Sequence, residues 1–440
     1  MPRTEPARGM RDFLPEDIRR REYAIGVIRR VYERYGFEPL ETPAVENLET
    51  LMGKYGEEGN QLIFKILKRG EHEASGQADL ALRYDLTVPL ARVVAQYQSK
   101  LPRLFKRYQV QPVWRADRPA RGRFREFYQC DVDALGSTSP VIETEVCAAV
   151  SDALTELGFA NFTIRVNHRQ LLTSILNAAG IAEPLHGTAL VAVDKLDKIG
   201  ADGVKAEMLA RGVDAAAGKK LLELFDGLSQ QRERCRELLD EAGIAAFENL
   251  ESVLACAQET SAGKRLRFDP SLARGLSYYT GVIMEIAVPD LAGSLGGGGR
   301  YDNLVGMFLG QSVPACGFSL GLERILVVMG ERGMFPPNLT TTAADVMMAV
   351  FDAADAPHAL RVAGMLRQSG LRVLVYPDAD KIGKQIKYAD SLGIPLVAIL
   401  GGNEIGAGTV TVKNLTAQTQ ATYDQTAAGG AILEELRQRG

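Results

Sequence analysis

The sequence predicts an α+β protein of several domains, with an antiparallel sheet that is interrupted by a helical insertion and followed by a C-terminal α/β domain. Two strand-like runs of alternating polarity, at 104–114 and 124–135, flank a loop that contains Pro and Gly. Residues 170–262 are rich in Ala, Leu, Lys and Glu, which favours helices. Beyond residue 345, apolar runs alternate with helical segments, a pattern typical of βαβ units and a parallel sheet.

The expected domain boundaries follow from these changes in composition. At 440 residues the chain is too long for one compact core. We expect a core whose first part spans 1–170 and whose second part spans 264–332, with the helical insertion at 171–263 between them. A Pro- and Thr-rich linker, GMFPPNLTTTAAD, then leads into the α/β domain at 345–440.

Apolar spacing predicts the remaining elements of the core in chain order. Residues 15–35 carry apolar side chains at helical spacing after a proline, and 140–157 form a second amphipathic helix. A strand is expected at 162–166, followed by strand-like sequence punctuated by glycine at 272–299. A helix then contains residues 321–326.

The insertion and the C-terminal domain have their own patterns. In the insertion, KKLLELFDGL (219–228) and QQRERCRELLDEAG (230–243) have helical spacing. In the C-terminal domain, the order strand, helix, strand, helix, strand is carried by VMMAVF, ADAPHALRVAGMLRQSG, LRVLVYP, DKIGKQIKYADSLG and IPLVAIL.

The net charge and the distribution of cysteines limit the partners and the cellular location to be expected. The net charge is −4, whereas a non-specific nucleic-acid binder would be basic overall. Any RNA must therefore bind to a local basic patch. The stretch from Arg103 to Arg125 contains eight basic residues and a single acid, Asp117. Five scattered cysteines, no apolar run of membrane-spanning length and no apolar secretory segment predict a cytoplasmic protein with no membrane partner.

Arginines are the main candidates for a binding or catalytic role. There is no G-x-x-x-x-G-K-[ST] phosphate loop, the glycines at 296–299 lack dinucleotide-binding spacing, and the isolated histidines and cysteines offer no metal site. Arg115 ends one predicted strand, and Arg123 and Arg125 begin the next. Phe127 follows on that strand. Guanidinium groups bind phosphates and aromatic faces stack on bases, so this combination of side chains is consistent with ATP binding. From charge alone, the same arginines are also consistent with a solvated face or with contacts to RNA phosphates.

Six segments in order resemble the class II aminoacyl-tRNA synthetases, in the form seen in the histidyl-tRNA synthetase family. They are PARGMRDFLPED (6–17, leading into motif 1), LRYDLTVPLAR (82–92, a pocket segment), WRADRPARGRFREFYQCDVDALG (114–136, motif 2), LARGLSYYTG (272–281) and GGGGRYD (296–302), the two histidine-specific motifs, and GFSLGLERI (317–325, motif 3). The C-terminal run DKIGKQIKYADSLGIPLVAILG resembles the family's anticodon-binding domain. The resemblance extends from about residue 6 to about residue 425 and is weakest in the insertion.

The resemblance implies how ATP would be bound. Arg115 would contact the α-phosphate, and Arg123 the γ-phosphate end of a bent ATP. Phe127 and Arg324 would sandwich the adenine, Arg324 by cation–π stacking. Arg274 would lie over the α-phosphate and border the histidine. Mg²⁺ should accompany the ATP. Without the resemblance, Phe127 is more typical of a core residue.

The resemblance also implies which residues would hold the amino-acid end of L-histidine. Asp85, Thr87 and Gln129 would bind its α-amino and carboxylate groups. The substrate's own carboxylate would then attack the α-phosphorus, with pyrophosphate leaving. No protein base is needed for that step, which fits the lack of a candidate base in the sequence.

A second set of residues would recognise the imidazole ring. Asp133 and Tyr279 would hydrogen-bond the two ring nitrogens, with Tyr278 and Tyr301 supporting the pocket. Two alternatives stay open: Asp133 could be a structural carboxylate, and the adjacent tyrosines could pack on a strand, where only one of two neighbours faces a pocket. The glycines at 296–299 could form a flexible loop or allow a ligand to approach the backbone.

The function implied is that of a histidine–tRNA ligase, which activates histidine and then transfers it to histidine tRNA. Arg118 and Arg121 would face the acceptor end of that tRNA. Members of the family pair through motif 1, so a homodimer is implied. Ser277 stands where the family commonly has Asp, which puts the local hydrogen-bond network in doubt. Glu323 is not assigned as a metal ligand.

Two other functions compete with that of a ligase. The first is a synthetase-like regulatory subunit of ATP phosphoribosyltransferase, which would lack ligase activity. Such paralogues usually lose the anticodon-binding domain and the motif arginines, whereas this chain keeps Arg115, Arg274 and Arg324. The second is an RNA-binding or sensing protein that retains only the fold. That function calls for kinase-like segments or large extensions, which the sequence does not contain.

Overall fold

The computed structural model describes residues 4–70, 75–230, 236–273, 278–289, 291, 293–340 and 342–437. The chain divides into two compact units, Met1–Phe335 and Pro336–Gly440.

The first unit begins with a helix and a set of strands. In chain order its elements are α1 (Pro15–Arg34), β1 (Glu38–Pro39), β2 (Val45–Asn47), α2 (Leu48–Leu51), α3 (Gly56–Gln61), β3 (Lys65–Leu67), β4 (Ala78–Leu82), α4 (Thr87–Gln96), β5 (Phe105–Trp114), β6 (Glu126–Leu135), α5 (Pro140–Glu156) and β7 (Thr163–His168). A run of helices and four further strands complete it: α6 (Arg169–Ala179), α7 (His186–Val193), α8 (Leu196–Ala210), α9 (Ala215–Gln230), α10 (Glu241–Gln258), β8 (Leu266–Phe268), β9 (Val282–Ala287), β10 (Gly296–Arg300), α11 (Gly306–Leu309), β11 (Ala315–Gly321) and α12 (Leu322–Glu331).

The strands of this unit form a large, mainly antiparallel sheet. Within the described residues its eight strands lie in the order β1-β5-β6-β11-β10-β9-β7-β8. Only the outermost pairs of this sheet, β1 with β5 and β7 with β8, are parallel. A small sheet of order β2-β4-β3 lies apart from it. The predicted fold class, an antiparallel sheet with helices, is confirmed.

Alternation along the strands gives the large sheet one apolar and one polar face. On β6, Cys130, Val132 and Ala134 belong to the hydrophobic core together with α1 and α5. The residues between them, Asp131 and Asp133, point to the opposite face, because successive strand side chains alternate. That polar face is where the candidate site lies.

The two helices that cover the apolar face begin as their sequences predict. Helix α1 has Pro15 in its first turn, followed by acidic residues that favour a helix N-terminus. Helix α5 is capped by the Ser139 hydroxyl, which accepts a hydrogen bond from the Val141 amide at 3.3 Å. Both helices, and the strands predicted around 104–114, 124–135 and 162–166, are confirmed to within about two residues.

Helices α6 to α10 occupy the stretch predicted to be an insertion. Their apolar residues belong to the same hydrophobic cluster as the sheet, and α10 packs against α5 and α6. The helix expected at 219–228 lies within α9. Of the helix expected at 230–243, residues 231–235 lie outside the described residues, and residues 237–240 are not helical, so the prediction of one continuous helix there was wrong. Asp240 caps α10 by accepting from the Gly243 amide at 2.8 Å, so a new helix begins there. The extent of the insertion as a separate domain stays a prediction.

The second unit is an α/β domain. Its elements are β12 (Val346–Val350), α13 (Ala356–Gln368), β13 (Val373–Val375), α14 (Ile382–Ser391), β14 (Leu396–Leu400), α15 (Gly402–Ala407), β15 (Thr409–Asn414), β16 (Thr419–Asp424) and α16 (Ala428–Arg437). The sheet has the order β13-β12-β14-β15-β16, and β12 pairs in parallel with both β13 and β14, as predicted. The antiparallel strands β15 and β16 were not predicted.

Candidate active site

A cleft with a volume of about 1010 Å³ lies over the polar face of the large sheet. The predicted site residues that line this cleft are Asp85, Thr87, Arg115, Arg123, Phe127, Gln129, Asp133, Tyr278, Tyr279, Tyr301 and Arg324. Of the other predicted site residues, Arg118 and Arg121 do not line it, and Arg274, like Ser277, lies outside the described residues. The fold thus brings together segments that are up to about 240 residues apart in the chain.

Glycines make room for side chains on the floor of the cleft. Gly317 on β11 pairs with Asp133 on β6 and with Gly299 on β10. A Cβ atom at Gly317 would lie 1.9 Å from Asp133 Oδ1, and one at Gly299 would lie 2.9 Å from the Tyr279 ring. Glycine is therefore required at both positions. The glycines at 296–299 belong to strand β10 and do not form a loop, so that alternative was wrong.

Asp133 is buried and held from two sides. The Tyr301 hydroxyl donates to Asp133 Oδ1, and Arg107 Nη2 lies 2.8 Å from Oδ2. Arg107 is fully buried and also donates to the Leu86 carbonyl at 3.3 Å. Burial raises the pKa of Asp133, while the Arg107 charge opposes that shift. The carboxylate is thus fixed in place at the cleft, with one buried guanidinium beside it.

Asp85 precedes α4 and is the second buried carboxylate of the cleft. Its Oδ1 accepts from the Tyr55 hydroxyl at 3.0 Å and from the Val88 amide at 3.1 Å. Its Oδ2 lies 3.4 Å from the donating Tyr278 hydroxyl. Burial raises the pKa of Asp85, and these hydrogen bonds oppose the shift. Thr87 lies beside it and hydrogen-bonds Tyr278.

Gln129 and its neighbour Asp131 present acceptors to the cleft from β6. The Gln129 amide donates through Nε2 to the Ser319 hydroxyl at 2.6 Å, which leaves Oε1 without a hydrogen bond among the described residues. Asp131 is only 1% exposed, and its Oδ1 likewise has no hydrogen-bond partner in the described ranges. Burial raises the pKa of Asp131 to about 7, against the lowering effect of Arg107.

The adjacent tyrosines both line the cleft. Tyr278 and Tyr279 lie before β9 and not within a strand, so the expectation that only one of them could face the pocket was wrong. Their rings meet edge to face at 5.1 Å, and the Tyr278 ring meets that of Tyr301 at 6.0 Å. Burial raises the pKa of all three hydroxyls, so each is a neutral donor at neutral pH.

Arg115 directly follows β5 and lines the cleft. Its Nε donates to the Tyr84 carbonyl at 3.0 Å. Its guanidinium lies 4.3 Å from the centre of the Tyr84 ring and 5.2 Å from that of Phe127. These contacts are with neutral groups, although the Arg115 charge also acts to lower the pKa of nearby Asp85. Since the guanidinium forms no ion pair within 4 Å in the described residues, it can still bind an anionic ligand.

The basic residues of the 103–125 stretch do not form one patch. Arg107 is buried beneath the cleft, and Lys106 binds the Tyr35 carbonyl and Glu145 at 3.1 Å. Arg125, whose amide donates to the Gly9 carbonyl at 2.7 Å, anchors the N-terminal segment. The sequence gives only the number of basic residues in this stretch. Alternation along the strands and the path of the loop direct their side chains to different parts of the structure.

The loop between β5 and β6 carries the arginines that were predicted to face tRNA. Ala120 and Arg123 pair across its tip. Arg123 is half exposed and lies 3.1 Å from Asp117, Arg121 forms an ion pair with Glu331 on α12, and Arg118 is exposed.

Arg324 and Glu323 begin helix α12 at the edge of the cleft. Arg324 Nη1 donates to the Ser294 carbonyl at 2.5 Å. Glu323 is 2% exposed, and its Oε2 accepts from the Tyr128 amide at 2.9 Å. Its Oε1 has no hydrogen bond in the described part of the chain, with Arg11 Nη2 4.0 Å away. Burial raises the pKa of Glu323 to about 7.

Several cleft residues were not predicted from the sequence. Among those that line it are Tyr55, Tyr84, Asp131 and Ser319, and Arg107 lies beneath it against Asp133. One signal was available for Asp131: a residue two positions from both Gln129 and Asp133 shares their face of a strand. The others become neighbours only through pairing and helix packing, for which one sequence gives no signal.

Comparison with known proteins gives the family. The family model described as histidyl-tRNA synthetase matches residues 9–325, and the model of an anticodon-binding domain matches residues 345–435. The chain belongs to the histidyl-tRNA synthetase family. The second match is evidence against the regulatory-subunit alternative, which predicts loss of that domain.

Relatives over the whole length support the assignment to the histidyl-tRNA synthetase family. The chain is 40% identical to a histidine–tRNA ligase of Christiangramia forsetii, over 97% of this chain and 98% of the relative. It is 41% identical to one of Gloeobacter violaceus, over 98% of each. The crystal structure of a histidyl-tRNA synthetase from Nostoc sp. has a TM-score of 0.80 and 31% identity, and the match covers 99% of this chain and 100% of that one.

Two further observations concern membranes and metals. Of the helices in the described ranges, none has both the length and the apolar character needed to cross a lipid bilayer. In the same ranges, no group of three or more His, Cys, Asp and Glu side chains is arranged to hold a metal ion by itself.

Proposed function

We propose that the chain is a histidine–tRNA ligase that binds L-histidine and ATP side by side in the cleft. The observation that carries the proposal is that one cleft is lined both by buried carboxylates and by an arginine that forms no ion pair within 4 Å in the described residues. The carboxylates are Asp85, Asp131 and Asp133, and the Arg115 guanidinium contacts Tyr84 and Phe127 and acts electrostatically on Asp85. A ligand that carries a cationic group and reacts at a phosphate fits such a cleft.

The first step joins the substrate carboxylate to the α-phosphorus of ATP. The carboxylate oxygen attacks, the bond from the α-phosphorus to the bridging oxygen breaks, and pyrophosphate leaves. Since the nucleophile is already anionic, the protein has only to position the reactants and stabilise the developing negative charge. Arg115 would do so at the α-phosphate, and we assign Arg274 the same task from its motif.

The nucleotide would be held by the remaining motif residues. Arg123 would bind the γ-phosphate end, and Phe127 and Arg324 would enclose the adenine. Mg²⁺ would be held mainly by the phosphate oxygens, with Glu323 as the protein ligand that fits best, because its buried Oε1 has no hydrogen bond in the described residues. When bound, the cation would neutralise charge on the leaving pyrophosphate.

Selection of histidine would rest on the ring nitrogens. Asp133 accepts from one ring nitrogen, and the Tyr279 hydroxyl donates to the other. Tyr301 and Arg107 keep the Asp133 carboxylate in place. A buried site of this kind rejects analogues that lack the ring nitrogens by roughly 10⁴–10⁵, because its own polar groups would be left unpaired.

The second step would transfer the histidyl group to the terminal ribose of histidine tRNA. Arg118 and Arg121, on the loop between β5 and β6, would contact the acceptor end, and the second unit would bind the anticodon. We further propose a homodimer and a cytoplasmic location, as is usual for this family. The domain boundaries 1–170, 171–263, 264–332 and 345–440 are part of the proposal.

The test is ATP–pyrophosphate exchange, measured with each of the twenty amino acids for the wild type and Arg115→Ala. We expect exchange with histidine alone and a loss of at least about a hundredfold in Arg115→Ala, as for removal of one charge-stabilising donor. Arg332→Ala is the matched control, because the Arg332 guanidinium donates to the exposed Pro289 carbonyl at 2.9 Å and Arg332 does not line the cleft. Exchange with no amino acid, from folded protein with Mg²⁺ present, would refute the proposed function.

A further inference from the structure

The polar face of β6 carries one buried carboxylate to which the family motifs assign no role. Asp131 lies between Gln129 and Asp133 on the same face of the strand and lines the cleft. It is 1% exposed, and its Oδ1 has no hydrogen-bond partner in the described residues. Buried polar atoms are nearly always hydrogen-bonded, and one without a partner in a cleft indicates a ligand that is absent.

The partners of the neighbouring acids show why Asp131 differs from them. Asp85 already accepts from two hydroxyls and a backbone amide, and Asp133 accepts from Tyr301 and lies against Arg107. Asp133 Oδ2 also has no hydrogen bond among the described residues, but Arg107 Nη2 lies 2.8 Å from it. Asp131 Oδ1 and Gln129 Oε1 are both buried and have neither a hydrogen bond nor an ion pair in the described residues. These two acceptors lie on adjacent same-face positions of one strand.

Ser319 fixes the direction of both acceptors. It lies opposite Asp131 across the β6–β11 pair and hydrogen-bonds the Asp131 side chain. It also accepts from Gln129 Nε2 at 2.6 Å. Because Gln129 uses its amino group on Ser319, its carbonyl oxygen is left for a donor from the cleft.

Charge favours a cationic donor. The buried carboxylates of Asp85, Asp131 and Asp133 lie near one another and near the buried guanidinium of Arg107, and the buried Arg83 also interacts electrostatically with Asp131. Burial raises the pKa of Asp131 to about 7, which reflects the cost of a carboxylate there without a full counter-charge. A ligand cation that hydrogen-bonds Asp131 would remove that cost.

We propose that Asp131 is a further histidine-binding residue and that, with Gln129, it receives the α-ammonium group of the substrate. The ammonium group has three N–H donors and a positive charge, whereas a neutral imidazole has one donor, which Asp133 takes. Two unpaired acceptors, one of them charged, match the ammonium group and not the ring. The inference rests on the proposed function, since it adds a contact to the same histidine site.

The test compares two ligands that differ only in the ammonium group, L-histidine and 3-(imidazol-4-yl)propionate. Dissociation constants are measured without ATP by ligand-observed NMR titration, which extends to millimolar values. Asp131→Asn should weaken L-histidine at least tenfold, as expected for loss of a charged hydrogen bond, and change the propionate less than about twofold. Ser319→Ala should give a smaller loss with the same preference.

Two controls separate binding from folding. Asp378→Asn changes the net charge equally at an exposed position of the second unit and should leave both dissociation constants unchanged. The thermal unfolding midpoint of each variant is also measured, to show whether the variant is folded. Because Asn and Asp have nearly the same shape, we expect the substitutions to preserve the fold.

Each outcome has a distinct meaning. Equal weakening of both ligands by Asp131→Asn, or weakening of neither, would overturn the inference and leave the proposed function intact. A wild type that binds no L-histidine would instead overturn the proposed function.

Discussion

Gly317→Ala tests the packing that holds Asp133 at the floor of the cleft. The new Cβ atom would lie 1.9 Å from Asp133 Oδ1 and 2.9 Å from the Val132 carbonyl oxygen. Asp133 would have to recede by about 1.5 Å to reach ordinary contact. That shift would separate it from Arg107, now 2.8 Å away, and from the Tyr301 hydroxyl.

The expected cost of this substitution has two parts. Overpacking typically costs about 1–3 kcal/mol, and breaking a buried ion pair about 3–5 kcal/mol. Because Asp133 can move by rotating its side chain, we expect a total near the lower end of both ranges, about 4 kcal/mol. The histidine concentration for half-maximal exchange should rise at least tenfold, since the acceptor for the ring has moved.

The matched control is Gly330→Ala, the same substitution near the end of α12. There a Cβ atom would meet nothing within 4 Å, and alanine in a helix is favoured over glycine by about 0.5–1 kcal/mol. The thermal unfolding midpoint should therefore fall in Gly317→Ala and hold or rise in Gly330→Ala. If Gly317→Ala matched the wild type in both midpoint and histidine dependence, the account of the cleft floor would be refuted.

Three further substitutions test other parts of the structure. Burial lowers the pKa of His168 to about 4 from its usual 6.5, so the folded state binds fewer protons and loses stability as pH falls from 6.5 towards 4; His168→Asn, which keeps a helix cap, should flatten the dependence of the unfolding midpoint on pH in that window, and an unchanged slope would contradict this. Arg300→Met leaves the buried Glu143, now 2.6 Å from Arg300 Nε, without its cation, so we expect a loss of about 3–5 kcal/mol that Glu143→Leu in the same chain largely restores; a double variant as unstable as the single one would argue against the ion pair as the cause. In the second unit, Gln385 is fully buried and bonds both the amide and the carbonyl of Val350, at 3.0 and 2.7 Å, so Gln385→Ala should speed hydrogen exchange at the Val350 amide by at least about tenfold, for a loss of about 1–3 kcal/mol, whereas equal protection in both proteins would show that the bridge contributes little.

The parts of the fold that follow from local pattern were predictable. Helix α1 and strands β5 and β6 have a clear period and terminal signals, so their bounds could be given to within about two residues. The hairpin β15–β16 was missed although Thr409–Asn414 begins with alternating polar and apolar side chains (TVTV), because β16 is almost entirely exposed and carries no apolar face. An edge strand of this kind is stabilised by its partner's backbone and not by its own sequence.

Site residues that lie in a family motif could be predicted from the sequence. Residues that enter the site only because two strands pair could not. Arg107 illustrates the limit. In the sequence it is one of a run of basic residues, yet in the structure it is a buried counter-charge to Asp133. Tyr278 and Tyr279 illustrate the opposite case. The sequence suggested a strand, in which only one of the two side chains could face the pocket, whereas both line the cleft. Only the path of the backbone decides which way such side chains point.

The measurement that tests the central claim most directly is charging of unfractionated tRNA with each of the twenty labelled amino acids in the presence of ATP and Mg²⁺. The account predicts that histidine alone is attached, and that the charged species is histidine tRNA. Attachment of a different amino acid, or activation of histidine without transfer to any tRNA, would contradict it.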